Sequence, residues 1–126
     1  MIRFVDTNIL VRLMTNDVPD LTQKAMNLVN NSQTNELVII DSVLVELFFI
    51  LEFNKQYKFT RDKTGVIFNG ILTIPQFKVS EASKAAYELF LSNSKLDFTD
   101  CLVAISADKK LSKVVTFDKD LIESLA

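Results

Sequence analysis

The chain is predicted to be an α/β protein: one domain over residues 1–126, with a central, mostly parallel sheet of four to five strands flanked by helices. Three observations carry this expectation. The run Leu37-Val38-Ile39-Ile40 is continuous and rich in β-branched residues, as in a strand buried on both faces of a parallel sheet. Leu21, Ala25, Leu28 and Val29 fall on one helical face at i, i+4, i+7 and i+8. Strand-like and helix-like segments alternate along the chain, the pattern of helices packed on a parallel sheet.

Taken in order, residues 2–5 read as a short buried strand, followed by a helix through Ile9, Leu10 and Leu13. Asn16-Asp17-Val18-Pro19 is a break, with Pro19 suited to the first turn of the next helix. A further helix follows 37–40, starting near Asp41 and Ser42, which can cap it. Residues 62–72 form another helix and 77–79 a short strand. Ser80 then opens a helix with Ala82, Ala85, Ala86, Leu89 and Phe90. Residues 98–110 are expected as a helix, 113–117 as a strand and 119–125 as a last helix. There is no internal repeat, linker or low-complexity segment.

Composition excludes much chemistry. A chain of 126 residues can bury about two-thirds of its unfolded surface in one core. No apolar stretch reaches the ~20 residues that span a bilayer. Met1-Ile2-Arg3-Phe4-Val5-Asp6 runs into a strand-like segment with an early acid, unlike a signal peptide. A single cysteine, Cys101, rules out an internal disulfide and fits a reducing cytoplasm. With no histidine, there is no Ser-His-Asp or Cys-His nucleophile and no imidazole ligand. Cys101 therefore reads as a small core residue. Two glycines, Gly65 and Gly70, make no phosphate cradle. Carboxylates, hydroxyls, amides, lysine and arginine remain for catalysis.

Among the carboxylates, Glu46 stands out. It is the one charge in the run from Val43 to Leu51, with Val43, Phe49 and Ile50 one helical turn away. Facing outward it would expose large apolar groups, and buried as an ion it would cost several kcal/mol without compensation. Glu46 is therefore expected to need a partner. Asp6 follows the first strand, Asp118 follows the last, and Glu46 lies about one and a half turns into the helix after 37–40. Working groups in parallel sheets gather beyond the carboxyl ends of the strands. Asp97 and Asp100, three apart, share the face that opens the helix at 98. Asp6, Asp97 and Asp118 can also be plain helix caps; capping does not account for Glu46 or Asp100.

Four acids around one point make six repulsive pairs, each about 4 kcal/mol at 4 Å for an effective dielectric of 20. A hard cation bound through oxygen, Mg²⁺ or Mn²⁺, removes that penalty. Such an ion lowers the pKa of a bound water and stabilises charge on a phosphate. This is equipment for hydrolysing a phosphodiester without histidine.

These residues also carry a family likeness. The stretch from Phe4 through Asp6, Thr7 and Asn8 to Arg12, with Asn16-Asp17-Val18-Pro19 after it, resembles the opening of a PIN-domain ribonuclease, most closely the VapC toxins of bacterial toxin–antitoxin pairs. Glu46, the segment Asp97-Phe98-Thr99-Asp100-Cys101, and Val115-Thr116-Phe117-Asp118 match the later motifs in order, so the resemblance spans essentially the whole chain. It implies that Asp6, Glu46, Asp100 and Asp118 form an acidic site for Mg²⁺ or Mn²⁺. Asn8 and Thr116 are then polar supports, and Asp97 a cap or a supporting acid. It further implies an endoribonuclease acting on tRNA or ribosomal RNA, a homodimer, and an antitoxin partner. Fourteen lysines and arginines against sixteen acids give a net charge of −2; with the four site acids set aside, the balance is +2 and not hostile to RNA.

Lys55, Lys58, Arg61 and Lys63 surround Tyr57 and Phe59, a pattern compatible with phosphate contact plus base stacking, or with an ordinary solvated loop. Arg12, one turn beyond Asn8, can touch phosphate or pair with an acid. Ten phenylalanines exceed the needs of a minimal core and suit a dimer face or antitoxin groove. Other classes fit less well. A haloacid-dehalogenase-like phosphatase needs a second acid where Asn8 stands. A phospho-receiver domain needs a lysine near the last strand and a central phosphoryl aspartate, and neither has a clear match. A silent PIN-like scaffold usually lacks one of the acids, and all four are present.

Overall fold

The computed structural model describes residues 1–107 and 113–125. They gather into two compact units, Met1–Val79 and Ser80–Ala126. In the first, β1 (Arg3–Phe4), β2 (Leu37–Ile39) and β3 (Phe77–Val79) form a parallel sheet in that order. Arg3 lies opposite Leu37, and Leu37 opposite Phe77. Helices α1 (Thr7–Thr15) and α2 (Pro19–Asn30) connect β1 to β2; α3 (Asp41–Phe53) and α4 (Arg61–Leu72) connect β2 to β3. Parallel neighbours require such crossovers, because each strand must restart from the same end.

Local chemistry sets most helix ends. Asp6 caps α1, and Asn16 closes it at φ 51°, a left-handed position that asparagine tolerates. Pro19 sits at the start of α2, where its missing N–H costs nothing. Thr60 caps α4 through the Lys63 N–H. Helix α3 departs from expectation: its N-cap is Ile40, and Asp41 lies inside the first turn. Asp41 there favours the helix dipole instead of capping.

Leu44, Leu47, Phe48 and Leu51 form the buried stripe of α3, and Phe48 meets Phe68 of α4 with ring centroids 5.3 Å apart. The expected burial of the first strand is only partly realised. Val5 is buried, but Ile2 and Phe4 are 63% and 73% exposed.

The second unit contains α5 (Glu81–Ser92), α6 (Phe98–Ser106) and α7 (Lys119–Ser124). Ser80 caps α5 by accepting from the Ser83 N–H. Ala86, Phe90, Phe98 and Cys101 are buried where α5 packs on α6, so Cys101 is the core residue expected. The end of the helix expected over 98–110 falls at 108–110, outside the described residues. The strand expected over 113–117 does not form: these residues are irregular, and Val115 and Phe117 are fully exposed. The sheet thus has three strands among the described residues, not four to five. β-Branched and aromatic content reports that a segment suits a pleated surface, whereas a strand exists only where a second edge supplies its hydrogen bonds. No helix among the described residues is long and apolar enough to cross a membrane.

Candidate functional site

Asp6 and Glu46 belong to the first unit; Asp97, Asp100 and Asp118 belong to the second. Asp6 follows β1 at its carboxyl end and is exposed. Its Oδ1 accepts the Thr7 backbone N–H at 2.8 Å. Thr7 is buried at 2% exposure, and its hydroxyl donates to Glu46 Oε2 at 2.9 Å. One residue therefore engages both carboxylates, its backbone holding Asp6 and its side chain reaching from α1 to α3.

Glu46 corrects an expectation. It does face outward, on the stripe of α3 shared with Phe49 and Phe53, and it is exposed. The apolar exposure that seemed prohibitive is what the fold accepts: Phe49 and Phe53 are 63% and 64% exposed, with their rings 5.1 Å apart. Leu44, Leu47, Phe48 and Leu51 already supply the stripe that the core needs. The carboxylate is solvated, so no burial cost demands a partner.

Three of the candidate site acids lie at two helix starts of the second unit. Asp97 and Asp100 form a capping box at α6: Asp97 Oδ1 accepts the Asp100 N–H at 2.7 Å, and Asp100 Oδ2 accepts the Asp97 N–H at 3.2 Å. Capping thus does account for Asp100, contrary to expectation, because position three of a capping box reaches back to the chain before the helix. Partial burial, and then the charges of Asp97 and Asp118, push the Asp100 carboxyl above its ordinary value, while the hydrogen bond from the Asp97 backbone pulls it down. Asp118 caps α7, its Oδ1 accepting from the Asp120 and Leu121 N–H groups. Thr116 Oγ1 accepts the Asp118 N–H at 3.0 Å, so it supports the backbone of that acid.

Asn8, expected as a polar support, and Arg12, expected to touch phosphate or pair with an acid, lie on α1. Both line a cleft of about 460 Å³ between α1 and α2, with Leu21, Lys24 and Ala25 across it. Arg12 Nη1 donates to both oxygens of Asp17, at 2.8 and 3.0 Å. Asp17 also accepts from Tyr57 Oη at 2.5 Å and from Gln56 at 3.2 Å. Arg12 therefore pairs with an acid, and Tyr57 anchors the 54–60 loop to the turn before α2. The two aromatic rings of that loop, compatible with base stacking or with an ordinary loop, meet each other and a lysine: the Lys63 ammonium sits 3.9 Å over the Phe59 ring, whose edge contact with Tyr57 spans 5.9 Å. Lys55 and Lys58 remain exposed, and Arg61 is half-buried.

This network makes a pH prediction. The Asp17 carboxyl is lowered to about 2 from an ordinary 3.8, chiefly by the Tyr57 hydroxyl, with further hydrogen bonds from Thr15 and Arg12 adding to it. A lowered folded-state value means stability that is complete above about pH 4 and is lost as pH falls toward 2. The thermal midpoint of the native chain is expected to fall more steeply across that interval than that of Asp17→Asn. Parallel slopes would mean that the network adds no stability.

The donor set suits a hard cation. Carboxylate oxygen is the preferred donor of Mg²⁺ and Mn²⁺, and the hydrogen bonds described for Asp6, Glu46, Asp100 and Asp118 each fall on one oxygen of the pair. Capping and metal ligation are thus compatible in one carboxylate. Among the described residues, neither unit by itself gathers three acidic or cysteine side chains into a metal-holding group. Thr7 was not singled out as a site residue, although its signal is present: it shares with Leu10 and Val11 the i, i+3, i+4 buried stripe of α1, and a buried hydroxyl needs a partner.

No match was found among curated proteins or among solved structures. The PIN-domain family matches residues 3–125, and proteins of that family are typically nucleases that use divalent metals. With a match over nearly the whole length, the chain belongs to the PIN-domain family.

Proposed function

We propose that this PIN-domain protein is a Mg²⁺- or Mn²⁺-dependent endoribonuclease, cytoplasmic, and the toxin of a toxin–antitoxin pair. The observation that carries the reading is the pair of solvent-facing carboxylates, Asp6 and Glu46, engaged by one buried threonine. Asp100 and Asp118, each held at a helix start, supply the remaining two acids of the proposed metal site. When bound, the ion supplies Lewis acidity, a water of lowered pKa, and stabilisation of charge on the phosphate. The chain's own task is to hold acceptors in place before substrate arrives. Asp6 and Asp118 are oriented by backbone N–H groups, Glu46 by a hydroxyl, and Asp100 by its capping partner. Water attack on phosphorus would leave a 3′-hydroxyl and a 5′-phosphate. Lys55 and Lys58 are exposed and offer phosphate contacts. Phe49 and Phe53 offer an apolar surface to a second copy or to the antitoxin.

The test is cleavage of mixed tRNA and ribosomal RNA by the purified chain with Mg²⁺ or Mn²⁺, with EDTA, and with Asp100→Asn prepared identically. Discrete fragments that require both the metal and Asp100 are expected. Metal binding without cleavage would favour a PIN-like binding scaffold, and absence of both would overturn the carboxylate reading.

A further inference from the structure

We infer that Thr7 is the positioning residue of the site proposed above, its hydroxyl setting the direction in which the Glu46 carboxylate presents its other oxygen; the inference rests on that functional reading.

Other threonine hydroxyls of the first unit show what is unusual. Those of Thr64 and Thr73 donate to carbonyls of their own helix, Thr60 and Gly70, and that of Thr22 to the Arg12 carbonyl. The Thr15 hydroxyl reaches the Val11 carbonyl and the Asp17 carboxylate only two residues on, a local use common in or beside a helix. Thr7 instead donates to a side-chain carboxylate 39 residues away in sequence. It is itself 2% exposed, whereas Glu46 is exposed. A buried, β-branched donor has few rotamers, so its hydroxyl is a fixed point. An exposed glutamate has many rotamers, and a charge-assisted bond to a fixed point selects among them. The same residue donates its N–H to Asp6 at 2.8 Å. The relation between the two carboxylates is thereby set by the geometry of a single residue. Partners of this kind orient metal-binding carboxylates without touching the metal.

The experiment measures Mn²⁺ affinity by calorimetry for the full chain and for Thr7→Val, Thr7→Ser, Glu46→Gln and the Thr7→Val/Glu46→Gln double variant, with thermal unfolding as a check of folding. Thr7→Val keeps the shape and removes the donor; it is expected to weaken Mn²⁺ binding by roughly 10–100-fold. Thr7→Ser should restore it. On the Glu46→Gln background Thr7→Val should add no further loss, because its effect passes through Glu46. Affinity unchanged in Thr7→Val, or an undiminished further loss in the double variant, would overturn the inference while leaving the nuclease reading standing. Should Thr7→Val fail to fold, Glu46→Asp probes the same bond from the solvent side. Its carboxylate is one methylene short of the hydroxyl and should lose affinity to a similar degree; undiminished affinity would overturn the inference. A native chain that binds no Mn²⁺ and cuts no RNA would overturn the functional reading, and the inference with it.

Discussion

Asp6→Asn is expected to lower metal-dependent RNA cleavage by roughly 10²–10³-fold, the kinetic equivalent of about 3–4 kcal/mol of lost transition-state stabilisation. The fold should be almost unaffected, and that separation is what makes the substitution informative. Asp6 is the N-cap of α1, with Oδ1 accepting the Thr7 N–H. Asparagine caps as well as aspartate and keeps an oxygen at the same place. The substitution therefore removes a charge and little else. The measurements are initial cleavage rates in Mn²⁺ and the unfolding midpoint of the same preparation. An active Asp6→Asn would reduce Asp6 to a cap and return the metal to other ligands. A large drop in midpoint would show that the charge itself holds the helix start.

Phe68→Ala should cost ~3–5 kcal/mol of stability, the usual range for emptying a buried aromatic position. Phe68 is 1% exposed and packs against Phe48 at 5.3 Å between centroids, so its loss uncouples α4 from the buried stripe of α3. Domains are generally stable by only ~5–15 kcal/mol, and this variant is expected to be partly unfolded near physiological temperature. Urea denaturation followed by far-ultraviolet circular dichroism checks it. A loss below ~1 kcal/mol would mean that α3 and α4 close over the space.

Helix starts were readable because a cap is written within four residues of the helix that it opens. Asp6, Ser80, Asp97 and Asp118 all cap helices, and the strand at 77–79, the strand read at 37–40 and found at 37–39, and the buried Cys101 were equally legible. Asp100 was misread for a local reason: its place three residues after Asp97 is itself the capping-box spacing, which the apolar helix around it obscured. Glu46 was misread for a different one. A uniformly apolar run such as 43–51 does not say which stripe the core will take, and once Leu44, Leu47, Phe48 and Leu51 were taken, Glu46, Phe49 and Phe53 were left outside.

Sequence by itself therefore determined most of the alternation of helices and strands, the caps at Asp6, Ser80, Asp97 and Asp118, and the identity of the acids, because each depends on neighbours a few bonds away. Tertiary structure alone decided three further things. The sheet stops at three strands among the described residues, since a strand needs a second edge as well as suitable residues. Tyr57 bonds to Asp17, the partner of Arg12, and ties together positions 40 residues apart. Thr7 reaches Glu46 across 39 residues, a pairing set by the way α1 packs on α3, and no local pattern of side chains encodes that approach.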